Sequence, residues 1–218
     1  MTNLETIDDS LFEIFKKKKE YIDYFSQSGN FGWEKWLQYE LALALNKESI
    51  GRSETEVPYP YDMGVKKPKS KDGNTNCFLD IRFKEKNFRN DVYTAIELKL
   101  TKGASGLRGV FSDLLKISAI KTKSWDLRGV VVILIYKRPT KTTKFNELIE
   151  NLIKAKGIKT LHEQIKNSEY SVLRMAWGGG ATSNWNRKPY RDWVQKMLNL
   201  LKEKDVRIKT KSGKLQRD

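Results

Sequence analysis

The sequence predicts an α/β chain: a mixed β-sheet with helices on its faces. Three observations predict it. Residues 129–136 (GVVVILIY) are apolar on both faces and of strand length, so they read as a buried central strand. Residues 33–47 place Trp33, Trp36, Leu37, Leu41, Leu43, Ala44 and Leu45 at helical spacing. The order of elements is helix, strand, strand, strand, helix, strand, helix, strand, helix, which layers helices against a sheet.

In chain order, residues 1–30 read as one helix with Leu11, Ile14, Phe15, Tyr21 and Phe25 inward, ending at Ser28-Gly29-Asn30. The Lys16–Lys19 run inside it reads as a solvated face. The helix of 33–47 follows, then a strand from Glu56 to a Pro-Tyr-Pro-Tyr-Asp corner. Residues 66–76 (KKPKSKDGNTN) form a polar, basic loop. Strands are expected at 77–84 and 92–100, a helix at 107–123 and the apolar strand at 129–136. Residues 142–168 read as helical, in two pieces broken at Gly157. A strand at 170–177, a glycine-rich polar loop from Gly178 and a helix at 191–204 complete the chain.

Composition narrows the function. A length of 218 residues favours one domain, 1–218, with a full core. There are 42 basic and 27 acidic residues, a net charge of +15, which points to a polyanion: nucleic acid first, an anionic membrane surface second. Residues 1–65 carry a balance of −5 and residues 66–218 a balance of +20, so the later part supplies the phosphate-facing surface. No apolar run is long enough to span a bilayer, and the acidic amino terminus has no signal-peptide core, so no membrane partner is expected. The single cysteine, Cys77, suits a reducing compartment, which gives a cytoplasmic expectation (host cytoplasm for a viral chain). Cys77 reads as a packed strand residue. The lone His162 reads as a surface residue on a helix, which argues against histidine-pair chemistry.

Two apolar strands carry acids. They are Cys77-Phe78-Leu79-Asp80-Ile81-Arg82-Phe83 and Ala95-Ile96-Glu97-Leu98-Lys99-Leu100. A carboxylate in an apolar strand is costly unless something binds it. Strand alternation puts Glu97 and Lys99 on one face and Asp80 with Phe78 and Arg82. If the strands pair, Asp80 and Glu97 converge on one ion. Mg²⁺ takes carboxylate oxygens, waters and phosphate oxygens, and it lowers the pKa of bound water. A neighbouring lysine orients that water, stabilises developing charge, or acts as a base if its pKa is depressed. On a helical wheel, Glu40 falls near the centre of the apolar arc of 33–47 and Glu34 near its edge. Glu40 therefore needs a buried partner, and the metal site is the candidate.

At these residues the chain resembles the PD-(D/E)xK nuclease superfamily: Leu79-Asp80 closing one strand, Glu97-Leu98-Lys99 on the next, a glutamate-bearing helix before them, and a helix and apolar strand after. Leu79 stands where the family's proline would be. The resemblance covers a catalytic core of about 33–136, leaving 137–218 as a helical and basic elaboration. It implies a restriction-endonuclease-like sheet and phosphodiester hydrolysis with Mg²⁺ or Mn²⁺. Asp80 and Glu97 would be metal ligands, Lys99 the water-positioning residue and Glu40 a further acid and ligand. The expected function is a metal-dependent endodeoxyribonuclease of restriction, phage or defence type. The alternative is an inactive nucleic-acid-binding module of the same kind.

Further candidates are weaker. Asp113 or Lys116, on the helix after the lysine strand, would support Lys99 or a phosphate. Arg108 lies near that helix's amino end, where backbone amides favour anions. Arg187 and Lys188 follow Gly178–Gly180, Asn184 and Trp185 in a loop suited to DNA contact. Two-fold DNA invites a homodimer.

Overall fold

The computed structural model of the chain describes residues 3–28, 32–60, 76–86, 92–101, 104–118, 120, 126–137, 144–154 and 158–178, with 192, 194, 195 and 199. The 66–75 loop and all but four residues of the expected 191–204 helix lie outside these, as do Arg187 and Lys188.

The helices are α1 (Asn3–Lys17), α2 (Lys19–Ser28), α3 (Trp33–Leu45), α4 (Ala104–Ser118) and α5 (Lys144–Ile153). The strands are β1 (Gly51–Pro60), β2 (Asn76–Glu85), β3 (Tyr93–Thr101), β4 (Leu127–Lys137), β5 (Lys159–Gln164) and β6 (Tyr170–Gly178). They form one mixed six-stranded sheet in the order β1-β2-β3-β4-β6-β5. The β3–β4 pair is parallel, joined across α4, and every other pair is antiparallel. Helices therefore flank a mixed sheet, as the sequence predicts.

Apolar residues occupy both faces. Val130, Val132 and Leu134 of β4 pack beneath Leu107, Phe111 and Leu114 of α4 and Leu148 of α5. Val131, Ile133 and Ile135 pack with Ile7 and Leu11 of α1 and Leu37, Leu41 and Leu45 of α3. A strand apolar on both sides belongs at the centre of such a sandwich.

Two expectations are corrected. The first helix is two, meeting at Lys18. Residues 142–168 are not two helices: α5 ends at Ile153, and 159–164 form edge strand β5 against β6. Thr160 and Leu161 are half-buried and the other side chains of KTLHEQ are exposed, so its pattern has no continuous apolar face, while its backbone finds partners on β6. His162 thus sits on a strand, and its Nε2 lies 2.7 Å from the Tyr136 hydroxyl.

An ion pair fastens α1 to the sheet. Arg174 of β6 donates from Nε to Asp8 Oδ1 (3.0 Å) and from Nη2 to Asp8 Oδ2 (2.8 Å), and from Nη1 to the Lys159 carbonyl. The Arg174 side chain is 8% exposed. Asp8→Ala would strand a buried cation, and urea denaturation should show a loss of about 3–5 kcal/mol. Arg174→Met in the same chain should recover much of it, because removing both charges removes the desolvation cost.

Candidate active site

The site lies where β2 parts from β3. Their ladder covers only Ile81–Phe83 against Ile96–Thr94, although β3 runs on to Thr101 beside β4. At the parting, β2 changes faces. Leu79 packs on the α4 side and Ile81 on the α3 side, although residues two apart on a regular strand share a face. β1 turns with it: Glu56, opposite Asp80, has φ 54° and drops out of the β1–β2 register between Thr55↔Ile81 and Val57↔Leu79. That left-handed backbone is uncommon for a residue with a side chain. Simple alternation, which grouped Asp80 with Phe78 and Arg82, fails at this twist.

Parting leaves backbone amides of β3 without a strand partner, and carboxylates take them. Asp80 Oδ2 accepts from Leu98 N (2.8 Å) and Glu34 Oε2 from Leu100 N (3.4 Å). In return Asp80 N lies 3.4 Å from Glu97 Oε1. The Asp80 carboxylate therefore sits in the gap between the strands, next to Glu97. Gln38 of α3, itself buried, holds the gap open from the other side. Its Nε2 donates to the Asp80 carbonyl (2.5 Å) and to Glu56 Oε1 (2.8 Å).

Lys99 lies on the face covered by α4. Gly109 of α4 lies against the lysine stem: a Cβ there would stand in van der Waals contact with Lys99 Cε, at 3.4 Å. The ammonium is 3.2 Å from Glu34 Oε1 and 3.4 Å from Asp113 Oδ2. Asp113 also pairs with Lys116 at 2.5 Å.

The predicted site residues divide accordingly. Asp80, Glu97 and Lys99 come together, and Asp113 supports Lys99 as one expectation had it. Glu40 does not join them: it pairs with Lys18 at 2.6 Å where α1 meets α2. The wheel went astray because Leu43, counted as inward, is 70% exposed. The face that is buried runs through Trp33, Leu37, Leu41 and Leu45, and Glu34 falls within it. Lys116 is engaged with Asp113. The Arg108 side chain lies outside the described residues. Glu34 and Gln38 are the acid and amide that the sequence reading missed, and their i,i+4 spacing on the buried face was the available signal.

Among the described residues, Asp80, Glu97, Glu34 and Asp113 outnumber the site's lysines, Lys99 and Lys116. Burial raises the Asp80 carboxyl to about 6, with Glu34 and Asp113 adding to the rise against the Leu98 amide and Lys99. Burial, then Asp80 and Asp113, hold Glu97 well above the usual carboxylate range. Burial disfavours the Lys99 ammonium, but Asp113 and Glu34 outweigh it and hold its pKa above the ordinary value. These carboxylates favour the charged form of Lys99. Among the described residues, no three His, Cys, Asp or Glu side chains are gathered closely enough to hold a metal ion alone. The donor set suits a hard divalent ion: two adjacent carboxylates, one half-buried and one buried, with room in such an ion's coordination shell for waters and phosphate oxygens.

No protein-family model, curated protein or solved structure matches the chain.

A raised folded-state carboxyl pKa means that the folded chain holds protons that the unfolded chain has lost. The associated stability is full below the unfolded value, 3.8 for Asp80, and is lost as pH rises through about 6. Urea denaturation in EDTA should show this decline, with Glu97 extending it to higher pH. Glu97→Gln should flatten the profile and leave the chain more stable than the parent at neutral pH.

Proposed function

We propose that this chain is a metal-dependent endodeoxyribonuclease with a restriction-endonuclease-like arrangement. The supporting observation is the pair of adjacent carboxylates, half-buried Asp80 and buried Glu97, at the parting of two strands, with a charged lysine two residues past the second. Asp80 and Glu97 would hold Mg²⁺ or Mn²⁺. The bound ion would supply a water of lowered pKa and neutralise charge on the phosphate.

The chain's own groups account for the rest of the proposed reaction. In hydrolysis, water oxygen bonds to phosphorus and the bond from phosphorus to the leaving sugar oxygen breaks. Lys99, held protonated, donates hydrogen bonds to the attacking water or a non-bridging phosphate oxygen and stabilises the growing negative charge. Glu34 and Asp113 hold the ammonium from two helices on different faces of the sheet, which fixes its direction. Gln38 fixes the Asp80 peptide. The net charge of +15 favours a polyanionic substrate. A resident divalent ion would bring the acidic site nearer to charge balance and offset the negative charge of the bound strand.

No described helix is long and apolar enough to cross a membrane. The homodimer and the DNA contacts of Arg108, Lys116, Arg187 and Lys188 remain part of the proposal.

Nicking of supercoiled plasmid tests the reading. Cleavage should need Mg²⁺ or Mn²⁺ and stop with EDTA. Glu97→Ala and Lys99→Ala should each lower the rate by about 10²-fold or more. Glu34→Gln should lower it through Lys99, whereas Glu40→Gln should leave it unchanged. DNA binding with no cleavage by any of these proteins would move the assignment to a binding module.

A further inference from the structure

Beside the candidate site, α3 carries Lys35 between Trp33, Trp36 and Tyr39. Lys35 Nζ lies 5.4 Å from the Tyr39 ring centroid, and Tyr39 is 54% exposed. Trp36, one helical step round, stacks on Tyr21 of α2 with centroids 5.7 Å apart and planes 9° from parallel. Tyr21 is 45% exposed, and Lys18 Nζ lies 5.9 Å from its centroid. Trp36 and Tyr39 are i,i+3 neighbours on one helix, so the rings run as a single ridge.

The ridge is continuous with the site. Lys35 pairs with Glu56 at 2.5 Å, Glu56 accepts from Gln38, and Gln38 donates to the Asp80 carbonyl. These contacts link Asp80 to Lys35 and its neighbour Tyr39, and Trp36, Tyr21 and Lys18 continue the row of rings and cations. Water-exposed aromatic faces beside lysines suit unstacked bases joined by phosphates. The bases inside a duplex are already stacked on one another and have no face to offer. Lys35 and Lys18 are 46% and 40% exposed in their pairs with Glu56 and Glu40. Such pairs contribute little and can exchange their carboxylates for phosphates.

We infer that the Tyr21–Trp36–Tyr39 ridge, with Lys18 and Lys35, holds unpaired nucleotides of the substrate strand, so the chain acts on DNA with a single-stranded segment. This inference rests on the nuclease reading and narrows its substrate.

The test is fluorescence anisotropy in EDTA, where no cleavage occurs, with a labelled single strand and its matched duplex. The proteins are the parent chain, Tyr39→Ala, Tyr21→Ala and the Tyr→Phe versions of both, each checked for folding by circular dichroism. Each alanine variant should bind the single strand about tenfold more weakly. Duplex binding should not change, and phenylalanine, which keeps the ring face, should restore single-strand affinity. Equal losses on both DNAs, or no loss on either, would overturn the ridge. Plasmid cleavage is scored separately. Ridge-dependent single-strand binding without metal-dependent cutting would sink the nuclease reading alone. Metal-dependent cutting with unaltered single-strand binding by the variants would sink the ridge alone.

Discussion

The arrangement of this site depends on the unpaired amides of β3. A buried backbone N–H without a partner is costly, and a strand that loses its neighbour leaves alternate amides bare. β2 leaves β3 after three paired residues, and Asp80 and Glu34 take the Leu98 and Leu100 amides. The Asp80 carboxylate is thereby fixed beside Glu97, and the Glu34 carboxylate beside Lys99, by main-chain geometry. The left-handed Glu56 and the Gln38 amide keep β1 and β2 turned away, so the gap stays open. Lys99 lies between carboxylates from α3 and α4, which settles its charge. Strand pairing, helix placement and protonation thus follow from one break in one ladder.

The same break explains why the acids resist ionisation. In an ordinary ladder a carboxylate would point to one face and meet solvent or a single partner. Here Asp80 is drawn into the plane of the sheet next to Glu97, and burial raises both. Among the described residues the nearest cation is Lys99, which Glu34 and Asp113 already engage. Under the proposed reading a divalent ion would match both the oxygen donors and the charge of the ionised pair.

Much of this was legible in the sequence. The apolar 129–136 run could only be a central strand, and Glu97 and Lys99 shared a face by simple alternation. The helix of 33–47 was clear from its spacing. What the sequence hid were consequences of tertiary contact. Glu40 looked inward only because Leu43 was counted with the core, and Leu43 is exposed. Asp80 appeared to follow the alternation of its strand, but the face change depends on the backbone of Glu56 across the ladder. β5 was hidden because an edge strand needs no apolar face when its backbone finds a partner.

The most direct measurement is titration calorimetry of Mn²⁺ into the chain and into its Asp80→Asn and Glu97→Gln variants. The account predicts saturable binding that either substitution abolishes, with affinity falling as pH drops through the Asp80 range near 6, because protons then compete for the carboxylates. Binding that persists unchanged in both variants, or no saturable binding by the parent chain at neutral pH, would contradict the claim that this buried pair exists to hold a cation.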